Sequence, residues 1–285
     1  ITKFFRRKMQ KKCFFLVRIA KKQYLCSMKG AELDIIAYAH NGFSDKFGIP
    51  RQPQCSSHIE TRIVFTPRYR VREALRGIDG FSHLWLIWGF SEHMDSLVRP
   101  GHRTSFGSSG RLQTCRANTS DRTSLGWSPT VRPPRLGGNK RMGVFATRSP
   151  FRPNPLGLSS VRLLRVEETE QEGSVLVVAG ADLLDGTPIY DIKPYLSYSD
   201  AHPEAQDGFA AASKDYRLGV EWEAGLTLPA TLQQALEEIL AQDPRPAYQH
   251  DPKREYRLEF GGVRVFFVVA EGVVRVQKVE KTTKS

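Results

Sequence analysis

A chain of 285 residues is long enough for one large domain or two modest ones, each with its own core. With 40% hydrophobic and 25% charged residues it has the composition of an ordinary globular protein, and no apolar run reaches the ~18 residues of a membrane-spanning helix. The net charge of +12 is unevenly placed: residues 1–30 carry ten Lys/Arg and no acid, residues 127–165 carry eight and no acid, residues 94–126 contribute +3, and the remainder sums to −9. The chain therefore reads as a mildly acidic body with a basic leader and one basic block, and the block speaks for an anionic partner more than the overall charge does. Cys13, Cys26, Cys55 and Cys115 form no Cys-x-x-Cys pair and have no His at zinc-ligand spacing. That argues against a zinc site or a disulfide framework and fits a reducing cytosol.

The first residue is Ile, whereas Met28 precedes Lys29-Gly30-Ala31-Glu32 and a period-2 pattern. Met28 reads as the natural start and 1–27 as a non-native or disordered leader. A basic, acid-free targeting segment is the alternative, opposed by a broken apolar stretch and no small-residue cleavage pattern. Leu33 to Tyr38 and His58 to Thr66 read as strands, Tyr69 to Leu75 as a short helix, and the apolar run Phe81 to Phe90 as a buried strand. Residues 94–126, rich in Ser, Thr, Arg and Gly, read as a disordered insertion. An Arg-rich loop contacting RNA is the other reading of them. Met142 to Thr147, Leu158 to Val166 and Ser174 to Leu184 add three strands, giving an antiparallel β-barrel over 28–199. From about 200 to 285 a small α+β domain is expected. Its parts are a helix over Pro229 to Gln242 and strands over Tyr256–Phe260, Val263–Ala270 and Val273–Val279, with hairpin turns at Gly261-Gly262 and Glu271-Gly272. The fold class is mainly β.

Gly137-Gly138-Asn139 follows Pro133-Pro134 and so is a loop, and no Gly-x-Gly-x-x-Gly opens a helix. A dinucleotide fingerprint or phosphate loop is excluded. The basic block runs Trp127-Ser-Pro-Thr-Val-Arg-Pro-Pro-Arg-Leu-Gly-Gly-Asn-Lys-Arg-Met-Gly-Val-Phe-Ala-Thr-Arg-Ser-Pro-Phe-Arg-Pro-Asn-Pro-Leu-Gly-Leu158. Its prolines stiffen the backbone, so Arg132, Arg135, Arg148 and Arg152 lose less entropy on meeting a carboxylate or phosphate. A solvated basic loop is the bland reading. His83 reads as a satisfied core histidine. Trp85 and Trp88, three apart, face opposite sides of a strand and suit core packing better than base stacking.

The segment Gly143-Val-Phe-Ala-Thr-Arg-Ser-Pro-Phe-Arg-Pro-Asn-Pro-Leu-Gly157 resembles the signature of the TsaA-like (TrmO-type) family. Arg132 to Asn139, Pro50-Arg51-Gln52, Phe81 to Trp85, Asp182 to Pro188, Asp191 to Tyr195 and Asp243 to Tyr248 match in the same order. The resemblance implies a cytoplasmic, homodimeric enzyme that uses S-adenosylmethionine to methylate N6 of threonylcarbamoyladenosine beside the anticodon of threonine tRNA. It implies a cofactor site drawn from Pro50, Arg51, Gln52, Ser91, Glu92, Arg148, Leu158 and the turn Asp182, Leu183, Leu184, Asp185 and Gly186. Arg148 suits the methionine carboxylate. Asp182 or Asp185 suits the amino group or ribose, with a simple Asx turn as the alternative. Backbone around Leu158 and Leu184 suits the adenine. Asp191, Lys193 and Tyr195 are candidates for taking the N6 proton or serving their turn structurally. Arg132, Arg135, Lys140, Arg141 and Arg152 are expected on tRNA phosphates. Asp243 to Tyr248 suits either the anticodon loop or an interdomain turn. No metal and no membrane is expected. A nucleic-acid-binding module without catalysis and a cofactor-dependent enzyme acting on a small molecule are the rival readings.

Overall fold

The computed structural model describes residues 33–43, 47–49, 58–90, 129–133, 140–213, 215–246, 249 and 251–282. Their strands and helices all belong to the compact unit that begins at Ile35. The leader over 1–27 and the expected insertion over 94–126 lie outside the described residues.

The N-terminal strands are β1 (Ala37–His40), β2 (Glu60–Phe65) and β3 (His83–Gly89). A small ribbon of β4 (Thr130–Val131) and β5 (Met142–Gly143) precedes β6 (Leu156–Thr169), β7 (Gly173–Ala179) and β8 (Pro188–Pro194). Six of these strands pair antiparallel in a closed ring, β1-β2-β7-β6-β3-β8, with β8 returning to β1 through Ala37↔Ile189. Side chains alternate across a strand, so one set from each fills the ring. Leu84, Leu86 and Trp88 of β3 meet Ala37, Ile63, Val161, Leu176, Val178 and Ile189 inside. His83, Trp85 and Ile87 lie half-buried on the other face. His83 is therefore an outer-face residue, bonded to Ser82 Oγ at 2.9 Å, and not the core histidine that its apolar neighbours suggested. Closure removes the strand edges that would otherwise need cover.

Gly157 opposes Trp88 in the β3–β6 register, and any Cβ at 157 would fall within the indole. The glycine is thus required by the tryptophan that fills that end of the ring. On the outer face of β2-β7-β6, Arg62 and Arg165 flank Val177 in register. Val177 is fully buried there, which the long aliphatic stems of two arginines explain.

Three short elements differ from expectation. Tyr69 to Leu75 forms two 3-10 turns, Pro67–Tyr69 and Arg72–Leu75, with Arg70 and Val71 between them. Met142 to Thr147 is strand for two residues before a 3-10 turn, Val144–Ala146, seats Val144 in the interior. Pro188–Pro194 is a ring strand, bounded by the prolines that a strand tolerates at its ends.

After a single helical turn, α1 (Ser197–Asp200), the chain builds β9 (Gly219–Trp222), α2 (Ala230–Ala241), β10 (Tyr256–Phe260), β11 (Val263–Ala270) and β12 (Val273–Lys281). They form a separate sheet of order β10-β11-β12-β9, whose last pair is parallel. Both hairpin turns carry two residues at positive φ: Gly261 and Gly262 at 59° and 80°, Glu271 and Gly272 at 53° and 78°. This geometry matches the right-handed twist of the flanking strands. Ala235, Leu236, Ile239 and Leu240 put one face of α2 onto alternate residues of β10 and β11. This second core is not built from the C-terminal segment alone. Phe43 and Ile59, from the two sides of the β1–β2 connection, are buried in it, and Phe43 packs on Phe260 with ring centroids 4.8 Å apart.

Candidate cofactor site and basic loop

β1 and β3 end, and β6 and β8 begin, at one end of the ring, where the 180–187 connection also runs. This connection is tied to β1 by backbone bonds: the Gly186 N–H donates to Ala39 O at 2.8 Å and the Asp185 N–H to Phe43 O at 3.1 Å. Asn41 completes the clasp. Its Nδ2 donates to Leu183 O at 2.9 Å, its Oδ1 accepts from Phe43 N–H at 2.9 Å, and its own N–H donates to Asp185 Oδ1 at 3.0 Å. The Leu184 carbonyl accepts from both the N–H and hydroxyl of Thr187, at 3.1 and 2.7 Å. Leu183 is wholly buried in the ring core, its carbonyl satisfied by Asn41.

The two aspartates of this turn are differently employed. Asp185 is exposed and faces β1, with His40 Nδ1 3.4 Å from the same oxygen that accepts from Asn41. Asp182 points inward. Its Oδ1 accepts from the Ser159 hydroxyl at 2.5 Å, and Ser159 Oγ in turn accepts from the Trp88 indole N–H at 2.9 Å. Burial pushes the Asp182 carboxyl above the ordinary aspartate range, opposed by the Ser159 bond, its own backbone N–H and the charge of Arg148. Arg148, exposed at the rim, is therefore close enough for its field to reach Asp182. A buried carboxyl with one oxygen fixed by Ser159, within the field of a guanidinium, is suited to a ligand carrying both an ammonium or hydroxyl donor and a carboxylate.

The basic loop is held by neutral acceptors. Arg141 donates from Nε to Thr130 Oγ1 at 2.8 Å, and Arg152 donates from Nη1 to Thr147 O at 3.1 Å. Arg132, Lys140, Arg141 and Arg152 pair with no carboxylate among the described residues, and only Arg152 of the four is half-buried. Leu158, at the start of β6, is 55% exposed on the outer face, an apolar surface beside this charge. Among the described residues no group of His, Cys, Asp and Glu is arranged to hold a metal, and no helix is long and apolar enough to cross a membrane.

Comparison with known proteins decides what this arrangement belongs to. The tRNA-methyltransferase O N-terminal domain matches residues 38–201 and the TrmO C-terminal domain residues 220–282. The chain belongs to the tRNA-methyltransferase O family. It is 34% identical over 260 residues to the tRNA (adenine(37)-N6)-methyltransferase of Escherichia coli (strain K12), covering 84% of this chain and 98% of the relative. It is 38% identical over 241 residues to a putative S-adenosylmethionine-dependent methyltransferase, RcsF, of Pseudomonas aeruginosa, covering 81% and 87%. A crystal structure of TrmO from Pseudomonas aeruginosa superposes with a TM-score of 0.61 at 29% identity, covering 88% of this chain and 98% of that one. Methyl transfer to tRNA is the chemistry of the TrmO family.

Within the TrmO fold, the candidates from the sequence are partly gathered. Asp182 lies within the field of Arg148, and Leu158 is adjacent in sequence to Ser159, which bonds Asp182. Asp191 shares an outer-face row with Leu158 through Ile87, two strands away, or about 10 Å. Lys193 Nζ lies 2.8 Å from Asp191 Oδ2, both groups being well exposed. Tyr195 stands past the far end of β8, about 25 Å along the strand from Thr187. There its ring packs at a tilt against Trp85, whose indole N–H donates to Asp200 at 2.7 Å. One chain does not bring Tyr195 to the Asp182 turn. Arg245 makes a two-pronged pair with Asp243, at 2.7 and 2.9 Å, which closes the turn after α2. Pro50, Arg51, Gln52, Ser91, Glu92 and Arg135 lie outside the described residues. Asn41, Trp88 and Ser159 make contacts that no sequence signal marked, because their partners are 23 to 144 residues away, as in Ser159–Asp182, Trp88–Ser159 and Asn41–Asp185.

Proposed function

We propose that the chain methylates N6 of threonylcarbamoyladenosine beside the anticodon of threonine tRNA, using S-adenosylmethionine, and that it works as a cytosolic homodimer. The observation that carries this reading is the inward-held Asp182, electrically coupled to Arg148, at the rim of an acid-free basic loop. The name of the Escherichia coli relative supports adenine 37 N6 as the acceptor.

The donor set fits the cofactor. Its amino-acid end presents a carboxylate and an ammonium, which Arg148 and Asp182 complement in sign. The exposed Leu158 side chain offers an apolar face for the adenine. When bound, the cofactor supplies an electrophilic methyl group on a sulfonium, so the protein's work is chiefly placement. Ser159 fixes one oxygen of Asp182, Trp88 fixes Ser159, and Asn41 holds the Asp182–Gly186 turn against β1. Arg132, Lys140, Arg141 and Arg152 meet phosphates and set the substrate's register. Asp191, of the three residues considered for proton transfer, is the one on Leu158's row; Lys193 steadies it.

Incubating threonylcarbamoyl-modified threonine tRNA with the protein and S-adenosylmethionine, followed by nucleoside mass spectrometry, tests the proposal. One added methyl on the modified adenosine, absent with unmodified tRNA, is expected. Transfer to unmodified tRNA, or none at all, overturns it. Sedimentation velocity tests the dimer.

A further inference from the structure

Two large apolar rings are largely solvent-exposed in the basic loop. Phe145 is 70% and Phe151 59% exposed. Their exposure is not fraying, because the loop is closely tied. Val144, beside Phe145, is fully buried, with its N–H donating to Pro129 O at 2.9 Å. The Thr147 hydroxyl donates to Val144 O at 2.8 Å, the Phe151 N–H donates to Ser149 Oγ at 3.3 Å, and the Arg152 N–H donates to Pro150 O at 2.8 Å. Prolines at 150, 153 and 155 stiffen the rest.

A fixed backbone that presents aromatic rings to solvent is a binding feature, since rings of that size are normally covered. The neighbouring charge selects the occupant. Lys140, Arg141, Arg148 and Arg152 share the 140–158 segment with no acid. A partner must then offer anionic groups and flat apolar faces together, which is the chemistry of a single-stranded nucleic acid. Other aromatic residues lack one half of this pattern. Tyr198 is 86% exposed, but Asp200, Glu204 and Asp207 follow it with no Lys or Arg between. Trp85 is tied to Asp200, and Trp88 is buried.

We propose that Phe145 and Phe151 are a stacking platform for unpaired nucleobases of the RNA substrate, with the flanking cations on its phosphates. Bases within a stem hide their faces, so the platform reads loop nucleotides and leaves paired RNA alone. This rests on tRNA being the substrate, and it adds how the loop is gripped.

The test uses the full chain and a threonine tRNA anticodon stem-loop carrying 2-aminopurine in the loop. Wild type should quench the probe. Phe145→Ala and Phe151→Ala should each weaken binding about tenfold, within the range for one lost base stack, and lose quenching. Phe145→Tyr should keep both, and Phe145→Leu should behave like Ala. The slope of log affinity on log salt should stay unchanged, because no phosphate contact is removed. Affinity for a fully paired duplex should not respond. Full binding by the Leu variant, a reduced salt slope, or a change of oligomeric state in sedimentation overturns the platform. If wild type does not bind the stem-loop, the tRNA reading itself falls. If wild type binds and methylates while the Phe variants match it, only the platform does.

Discussion

The outer face of β2-β7-β6 and the loop that leads into β6 carry two sets of basic residues with opposite fates. On the outer face of β2-β7-β6, Arg62 pairs with Glu167 and Glu172, while Arg165 pairs with Glu60 and Glu167. Hydrogen bonds from Arg165 hold the Glu60 carboxyl below its usual range, and those from Glu60 and Glu167 raise the Arg165 guanidinium. A few residues earlier, Arg141 and Arg152 are positioned by neutral oxygens of Thr130 and Thr147. Composition alone does not separate Arg165 from Arg141 and Arg152, since all three lie in one acid-free block. Register does, because strand pairing brings glutamates to Arg165, while β4, the strand beside Arg141, offers a threonine and no acid. A charge answered within the fold covers Val177. A charge held by neutral acceptors is the kind proposed above to meet an incoming anion.

This contrast can be broken by substitution. The largest effect is expected at Arg148. Arg148→Ala should lower kcat/KM for methyl transfer about 100-fold with unfolding unchanged, as the loss of a charge-assisted contact implies. An effect below threefold would detach Arg148 from the site. Asp182→Asn comes next, with the KM for S-adenosylmethionine rising about tenfold. Because burial raises the Asp182 carboxyl in the folded state, its contribution to stability is present at low pH and lost as pH rises through the folded value. The Asn variant should therefore gain in Tm relative to wild type at pH 7 compared with pH 4; a gain only at pH 4 would contradict the inward placement.

Replacing Arg132, Lys140 and Arg141 together by Ala should weaken tRNA binding and reduce the salt slope by roughly 0.7 to 0.9 per lost phosphate contact. An unchanged slope would return these residues to the status of solvated charge. The smallest effect is expected on the paired face. Arg62→Ala should cost about 1 kcal/mol of stability, read as a small fall in Tm, with the tRNA salt slope unmoved. If Arg62→Ala reduced that slope as much as the loop variants do, the distinction between the two faces would fail.

How far the sequence discloses the fold depends on the range of the interactions involved. Tyr256–Phe260 and Val263–Ala270 have the boundaries expected of them, since a two-residue turn at positive φ and a period-2 pattern are local. The helix over Ala230–Ala241 was legible for the same reason. Its partner β9, four residues pairing parallel with β12 across the helix and two strands, carries too little pattern to be read alone. β8 does not read as a strand from its sequence, because half of its alternation faces outward with Asp191 and Lys193.

The basic block, its acid-free composition and its stiffening prolines were determined by the sequence itself, because each is a property of neighbouring residues. The tertiary structure alone decided which charges are answered. It bonded Ser159 to Asp182 across 23 positions and Asn41 to Asp185 across 144, and it buried Phe43 and Ile59 in the core of the C-terminal sheet. The physical reason is that a hydrogen bond or an apolar contact acts over a few ångströms of space, and only chain folding converts a separation in sequence into such a distance.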